Sequence, residues 1–189
     1  MKPTTRYGAI ATLLFSLLCP PVMADSIEYI NTNTSKVLDQ FKQQAEGADA
    51  MLDDAAGVLV FPDIFRLGFG LGGQYGEGVL LVKGKPVAYY TNAGHNYGLD
   101  TAQHHSKSEV IVFRDIDALN TFRNKSSWKV GENGNVTLPK IDAAKGVELA
   151  GESGSVLGFV ISDKGVVPDV TLDGNRYTRN MKKSVAVAP

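Results

Sequence analysis

The first regular pattern along the chain is helical. Val37, Leu38, Phe41 and Ala45 recur at spacings of three and four. Ser35 to Glu46 is therefore expected to form an amphipathic helix, with Ser35 as N-cap and Gly47 as its stop. The polar stretch before it, Asp25 to Thr34, is expected to be flexible, and Ala48 to Ala56 predicts a second, short helical turn. The pattern then shortens to that of strands. Val58 to Phe61 is an apolar run stopped by Pro62. Val79 to Lys83 and Pro86 to Thr91 flank Gly84 as a hairpin, and Glu109 to Phe113 reads as a buried strand. Asp115 caps a short helix on which Ile116, Leu119 and Phe122 recur. Asn133-Gly134 is a type I′ turn signal between Trp128 to Val130 and Val136 to Leu138. Val156 to Ile161 and Val166 to Leu172 predict a closing hairpin, with Pro168 placing its second strand at an edge or bulge. Tyr97 to Leu99 is a short strand candidate, Asp100 to Lys107 a loop or irregular helix, and Pro139 to Gly154 a surface excursion.

One stretch organises this pattern. Gly68, Gly70 and Gly72 fall at every second position, with Gly73, Gly76 and Gly78 close behind. Side chains alternate sides along a strand, so such glycines vacate one face and let the chain bend or another backbone approach. The letters also satisfy GxGxxG, but that motif binds a dinucleotide only where a strand enters the loop and a helix leaves it. Here the following residues become β-like, and no acid lies between Gly78 and Gly98 to hold a ribose. The glycines are read as a device for curvature. Many short strands with a few helices predict a mainly β, α+β fold, and periodicity leaves barrel and sandwich nearly even. The glycine-lined strand favours an antiparallel β-barrel core with two or three helices packed outside.

Residues 1–24 change the picture of where the chain works. A basic start with Lys2 and Arg6, an apolar run from Tyr7 to Cys19 and Ala24 before the expected cut make a secretory signal peptide. Cleavage after Ala24 would deliver the protein to the periplasm or outside the cell and remove its one cysteine, so stability must come from burial without disulfides. The division expected is a leader over 1–24, a flexible segment over 25–34, one domain over 35–180 and a tail over 181–189. The formal net charge of −1 becomes more negative once Lys2 and Arg6 are lost, which argues against nucleic acid as a bulk partner.

Candidate chemistry is sparse. Thiol catalysis is excluded in the mature chain, and neither a Gly-x-Ser-x-Gly elbow nor a His-Glu-x-x-His helix occurs. His104 and His105 are adjacent and point apart in either regular structure, so even with His95 they make a poor metal site. No enzyme activity, cofactor or metal is expected. What remains is charge: Lys83 and Lys85 at one hairpin tip, and Arg123, Lys125 and Lys129 in one short segment. Each such charge facing an anionic bilayer is worth about 1 kcal/mol, giving weak, salt-sensitive attachment.

Gly57-Val-Leu-Val-Phe-Pro62, the block Gly68 to Gly78, Tyr89-Tyr90, Trp128-Lys-Val-Gly131 with Asn133-Gly134, Gly158-Phe-Val160 and Leu172-Asp-Gly174 together resemble the SYLF domain, a family of lipid-binding proteins. The resemblance runs from about Ser35 to Arg179. It implies a β-barrel core with a few packed helices and binding of phosphoinositides or other anionic phospholipids, with no catalytic residues to carry over. After Leu99 the chain departs from the family's pattern, because Asp100 to His105 replaces a segment usually carrying glutamines and a glycine. Lys83, Lys85, Arg123, Lys125 and Lys129 are the expected lipid contacts. The alternative is a structural or protein-interaction module of the envelope that docks partners on the Ser35 to Glu46 helix.

Overall fold

The computed structural model describes residues 25–67, 73–95, 107–139, 141–142, 146–147, 154–167 and 170–185. Helix α1 spans Ile27–Gln44 and α2 spans Ala48–Asp54. Strands β1 (Gly57–Leu67), β2 (Gly73–Val82), β3 (Lys85–His95) and β4 (Lys107–Phe113) follow. Helix α3 (Ile116–Arg123) then leads to β5 (Ser127–Lys129). The small strands β6 (Ile141–Asp142) and β7 (Gly146–Val147) pair only with each other. The last described elements are β8 (Val156–Ser162), β9 (Gly165–Val166), β10 (Arg176–Arg179) and α4 (Met181–Val185). Eight strands form one antiparallel sheet in the order β5-β10-β3-β2-β1-β4-β8-β9. The fold is α+β.

The stretch expected to be flexible over 25–34 is helical instead. Ser26, not Ser35, is the N-cap, its side chain accepting from the Tyr29 N–H. Ile30, Thr34, Val37 and Phe41 form the buried stripe at spacings of four, three and four. The run Asn31-Thr-Asn-Thr34 has low helix propensity, but Ile30 packs with Val79 and Tyr89, and that burial overrides it. Further along, α1 lies on the outer face of the sheet, where Phe41 meets the Phe159 ring at 4.6 Å and Val58, Val60, Val110 and Val112 complete the layer.

Pro62 does not end its strand. The ladder between β1 and β2 shifts register between Val60 and Asp63, so proline, which has no N–H to give, sits in a bulge that bends β1. Gly78 lies opposite. A Cβ there would stand 2.2 Å from the Val60 carbonyl oxygen and 2.6 Å from the Phe61 ring, and one at Gly76 would stand 2.6 Å from the Asp63 carbonyl oxygen. Vacant positions on β2 thus admit the bulged backbone, the role expected for this glycine block. Gly68, Gly70 and Gly72 themselves lie outside the described residues, as do Tyr97 to Leu99, the Asp100 to Ser106 segment, most of the excursion after Pro139, and Pro168. Strand β2 leaves from Gly73 beside antiparallel partners, which is not a dinucleotide site.

The sheet curls tightly. Strands β10 and β1 are three ladder steps apart, about 14 Å if flat, yet the rings of Tyr177 and Phe61 stack at 5.3 Å. Leu59, Leu80, Tyr90, Ile111, Phe113, Trp128 and Val160 face the enclosed side, and α3 plugs it with Leu119 and Phe122. Phe122 touches the rings of Tyr90, Phe113, Trp128 and Tyr177. The expected barrel is not seen as a closed ring, because β5 and β9 remain the ends of the ladder. The segment that could close it bonds to itself first. The Gly131 N–H donates to the Gly134 carbonyl and the Lys129 N–H to Asn133 Oδ1, so the expected I′ hairpin with Val136 to Leu138 does not form. Among the described residues Thr137 alone crosses over, in a single parallel bridge to Leu157.

Strand β10 was not legible as a strand. Arg176 to Arg179, for which the sequence offers no strand pattern, form a strand inserted between β5 and β3.

Candidate functional site

The register places the two expected basic clusters at one end of the sheet. The β2–β3 tip sits beside the start of β1, since Val58 pairs with Leu81, and the start of β1 sits beside the end of β4, since Gly57 pairs with Phe113. Helix α3 begins three residues later and packs back on the same edge, where a Cβ on Gly57 would meet Leu119 at 2.9 Å and the Leu81 carbonyl oxygen at 3.3 Å.

At the tip Lys83 and Gly84 both take positive φ, 50° and 71°, the two central residues of a type I′ turn. Lys83 and Lys85 are exposed. Arg123 closes α3 and Lys125 follows it, both exposed. Among the described residues none of these four is in an ion pair. Burial raises the Tyr90 hydroxyl's pKa, and the nearby guanidiniums of Arg179 and Arg123 pull it back, so Arg179 adds a fifth cation to this end. Tyr90 Oη and Arg179 Nε are buried and have no hydrogen-bond partner among the described residues. The acids here are Asp117, exposed on α3, Asp53 and Asp54 at the end of α2, and Asp115. Asp115 is engaged as the α3 cap at 2.7 Å from the Ala118 N–H, and its pKa falls because of that bond.

Lys129 does not join them. It lies toward the other end of β5, opposite Arg176, and its ammonium is paired with Glu132. Conversely, the structure adds an apolar group that spacing had assigned to the core. Ile116 begins α3 and is 57% exposed, because the helix turns Leu119 and Phe122 inward and leaves its first residue outside.

A second constellation lies inside the curl. Glu109, 1% exposed, accepts from Asn92 Nδ2 at 2.9 Å, from Asn175 Nδ2 at 3.4 Å and from the Tyr177 hydroxyl, while Gln74 Nε2 donates to Asn175 Oδ1 at 3.0 Å. Burial pushes the Glu109 carboxyl up to about 7 against the pull of Tyr177 and Asn92, and burial beside this carboxylate raises Tyr177 strongly. Asn92 Oδ1 has no partner among the described residues. No motif signals this group, because its members come from four segments joined only by the fold. An open cleft of about 330 Å³ outside the sheet, between α1 and the β1 bulge, is lined by Lys36, Asp63 and Asp163 among others.

The His95 side chain, His104 and His105 lie outside the described residues. Among the described residues there is no group of three metal-ligating side chains, and no helix is long and apolar enough to cross a membrane. Neither any family model nor any curated protein matches the chain.

Proposed function

We propose that this chain is a non-enzymatic, SYLF-type domain of the cell envelope that attaches peripherally to anionic phospholipid through the α3 end of its curled sheet. The observation that carries the reading is convergence: Lys83, Lys85, Arg123 and Lys125, split by the sequence into two clusters, share one end with the exposed side chain of Ile116. Four cations near an anionic surface contribute about 4 kcal/mol, less what Asp117 takes back, and inserting Ile116 adds about 2 kcal/mol. Neither is sufficient for stable anchoring; together they give reversible, salt-sensitive attachment. The finer reading of the sheet as a barrel belongs with this proposal. It is supported by the curl that brings Tyr177 onto Phe61 and by the Thr137–Leu157 bridge across the open side.

Co-sedimentation with phosphatidylglycerol vesicles is the test. Binding is expected at low salt, weaker at high salt and absent with phosphatidylcholine. Equal binding to both lipids would reject the proposal.

A further inference from the structure

The residue expected to follow the leader is Asp25, and its backbone nitrogen is not at the surface of a frayed end. It lies 2.7 Å from Glu77 Oε2, a carboxylate on β2 that is 3% exposed. Lys183 on α4 reaches the same oxygen at 2.6 Å and also donates to the Asp25 carbonyl oxygen. The charges around this point do not balance while residue 25 is an internal amide. Glu77 and the Asp25 carboxylate face the single ammonium of Lys183, with Asp63 on β1 contributing further negative charge. Burial and Glu77 raise the Asp25 carboxyl against the pull of Lys183, and burial and Glu77 raise the Tyr75 hydroxyl. Tyr29 on α1 holds Asp63 from the other side at 2.9 Å. A buried carboxylate is stable when paired and hydrogen-bonded, and this one has room in its charge balance for a second cation.

We infer that cleavage between Ala24 and Asp25 creates that cation: the new α-ammonium seats on Glu77 beside Lys183 and locks the start of α1 and the end of α4 onto β2. Hydrolysis of the peptide bond adds one water, leaving a carboxylate on the released leader and an ammonium on Asp25. The same nitrogen that donates as an amide then carries charge, with no movement required. Two cations then face the Glu77 and Asp25 carboxylates, while Asp63 accepts from Tyr29. The chain's first and last described helices become tied through one point, so the folded state senses whether the leader has been removed.

This inference rests on reading residues 1–24 as a cleaved leader, and the test separates the two. The full chain is expressed with its own leader, recovered from the envelope fraction, and its N-terminal residue read by intact mass. The α-amine is then labelled at pH 7 with an amine-specific reagent in the folded and the denatured protein. An N-terminus at Asp25, labelled at least tenfold more slowly when folded, is the expected result. Glu77→Gln should return the folded rate to that of the denatured chain, whereas Lys183→Met, which leaves the α-ammonium as the sole cation on Glu77, should keep the protection. An N-terminus elsewhere overturns the cleavage reading. An Asp25 amine labelled equally fast folded and denatured overturns the seat itself, and that comparison needs no variant to fold.

Discussion

Glu109 shows what a single buried side chain can do to the whole stability curve. Its carboxyl loses its proton near the ordinary value of 4.5 in the unfolded chain but only near 7 in the fold. Between those values the folded state holds more protons than the unfolded one, so stability falls as pH rises from about 4.5 to 7 and then levels. The stabilisation is complete below the unfolded value and lost through the folded one. Its size over that interval is about 3 kcal/mol. Glu109→Gln should remove this slope, because an amide keeps the bond from Tyr177 and its N–H₂ can meet Asn92 Oδ1 after that amide turns over. Urea titrations at pH 5 and pH 7.5 would show it: the wild type loses stability relative to the variant at the higher pH. Parallel curves for the two proteins would mean that Glu109 titrates normally. Gly78 is the second residue on which the fold turns. Alanine there drives a methyl into the Val60 carbonyl, which is backbone and cannot swing aside, so Gly78→Ala should cost about 2–4 kcal/mol. Gly84→Ala, in open space but at φ 71°, should cost only about 1 kcal/mol.

At the scale of elements, the β2–β3 hairpin separates stability from the proposed attachment. Lys83 occupies a left-handed position that asparagine tolerates far better than lysine, so Lys83→Asn should leave thermal stability unchanged or raise it by a few tenths of a kcal/mol. The same change removes one cation and should weaken attachment to anionic vesicles. Thermal melts and vesicle binding on one sample separate the two effects. This hairpin, α2, α3 and its Asp115 cap, and the buried strand around Val110 to Phe113 were all readable in the sequence, because each is specified within a few neighbouring residues. What escaped was set from a distance. The first turns of α1 are held by Val79 and Tyr89, more than forty residues away; β1 passes Pro62 because Gly76 and Gly78 make room for a bulge. Strand β10 is four residues long and alternates Tyr177 inward between polar neighbours, too short a signal to distinguish from a tail. Of the proposed surface, the charges are read from the sequence and the shape is not. Lys129 belonged to the run in sequence and is drawn off by Glu132, while Ile116 fitted the helical stripe and is left outside it.

For the molecule as a whole, the decisive property of the proposed surface is that two clusters act as one. If the hairpin tip and the end of α3 meet the bilayer together, neutralising either pair removes about two charges' worth of attraction, about 2 kcal/mol or roughly thirtyfold in binding. Lys83→Gln with Lys85→Gln and Arg123→Gln with Lys125→Gln should therefore weaken attachment to similar degrees, and their combination should bring it near the level of neutral lipid. Ile116→Ser should act differently. It leaves the charges in place, so the salt dependence should persist while affinity drops about tenfold or more at every salt concentration, the signature of a lost insertion rather than a lost ion pair. The measurement is a salt series of vesicle binding for the wild type and these variants, with urea melts to confirm that each variant folds. Loss confined to one of the two pairs would mean that the clusters face different directions in use despite sharing an end, and an Ile116 variant with unaltered affinity would make the contact purely electrostatic. A surface whose charges converge only on folding would also explain why the chain, slightly acidic overall, can still present a basic face: the cations are gathered at one end by the ladder register, while acids such as Glu77 and Glu109 are held in the protein interior.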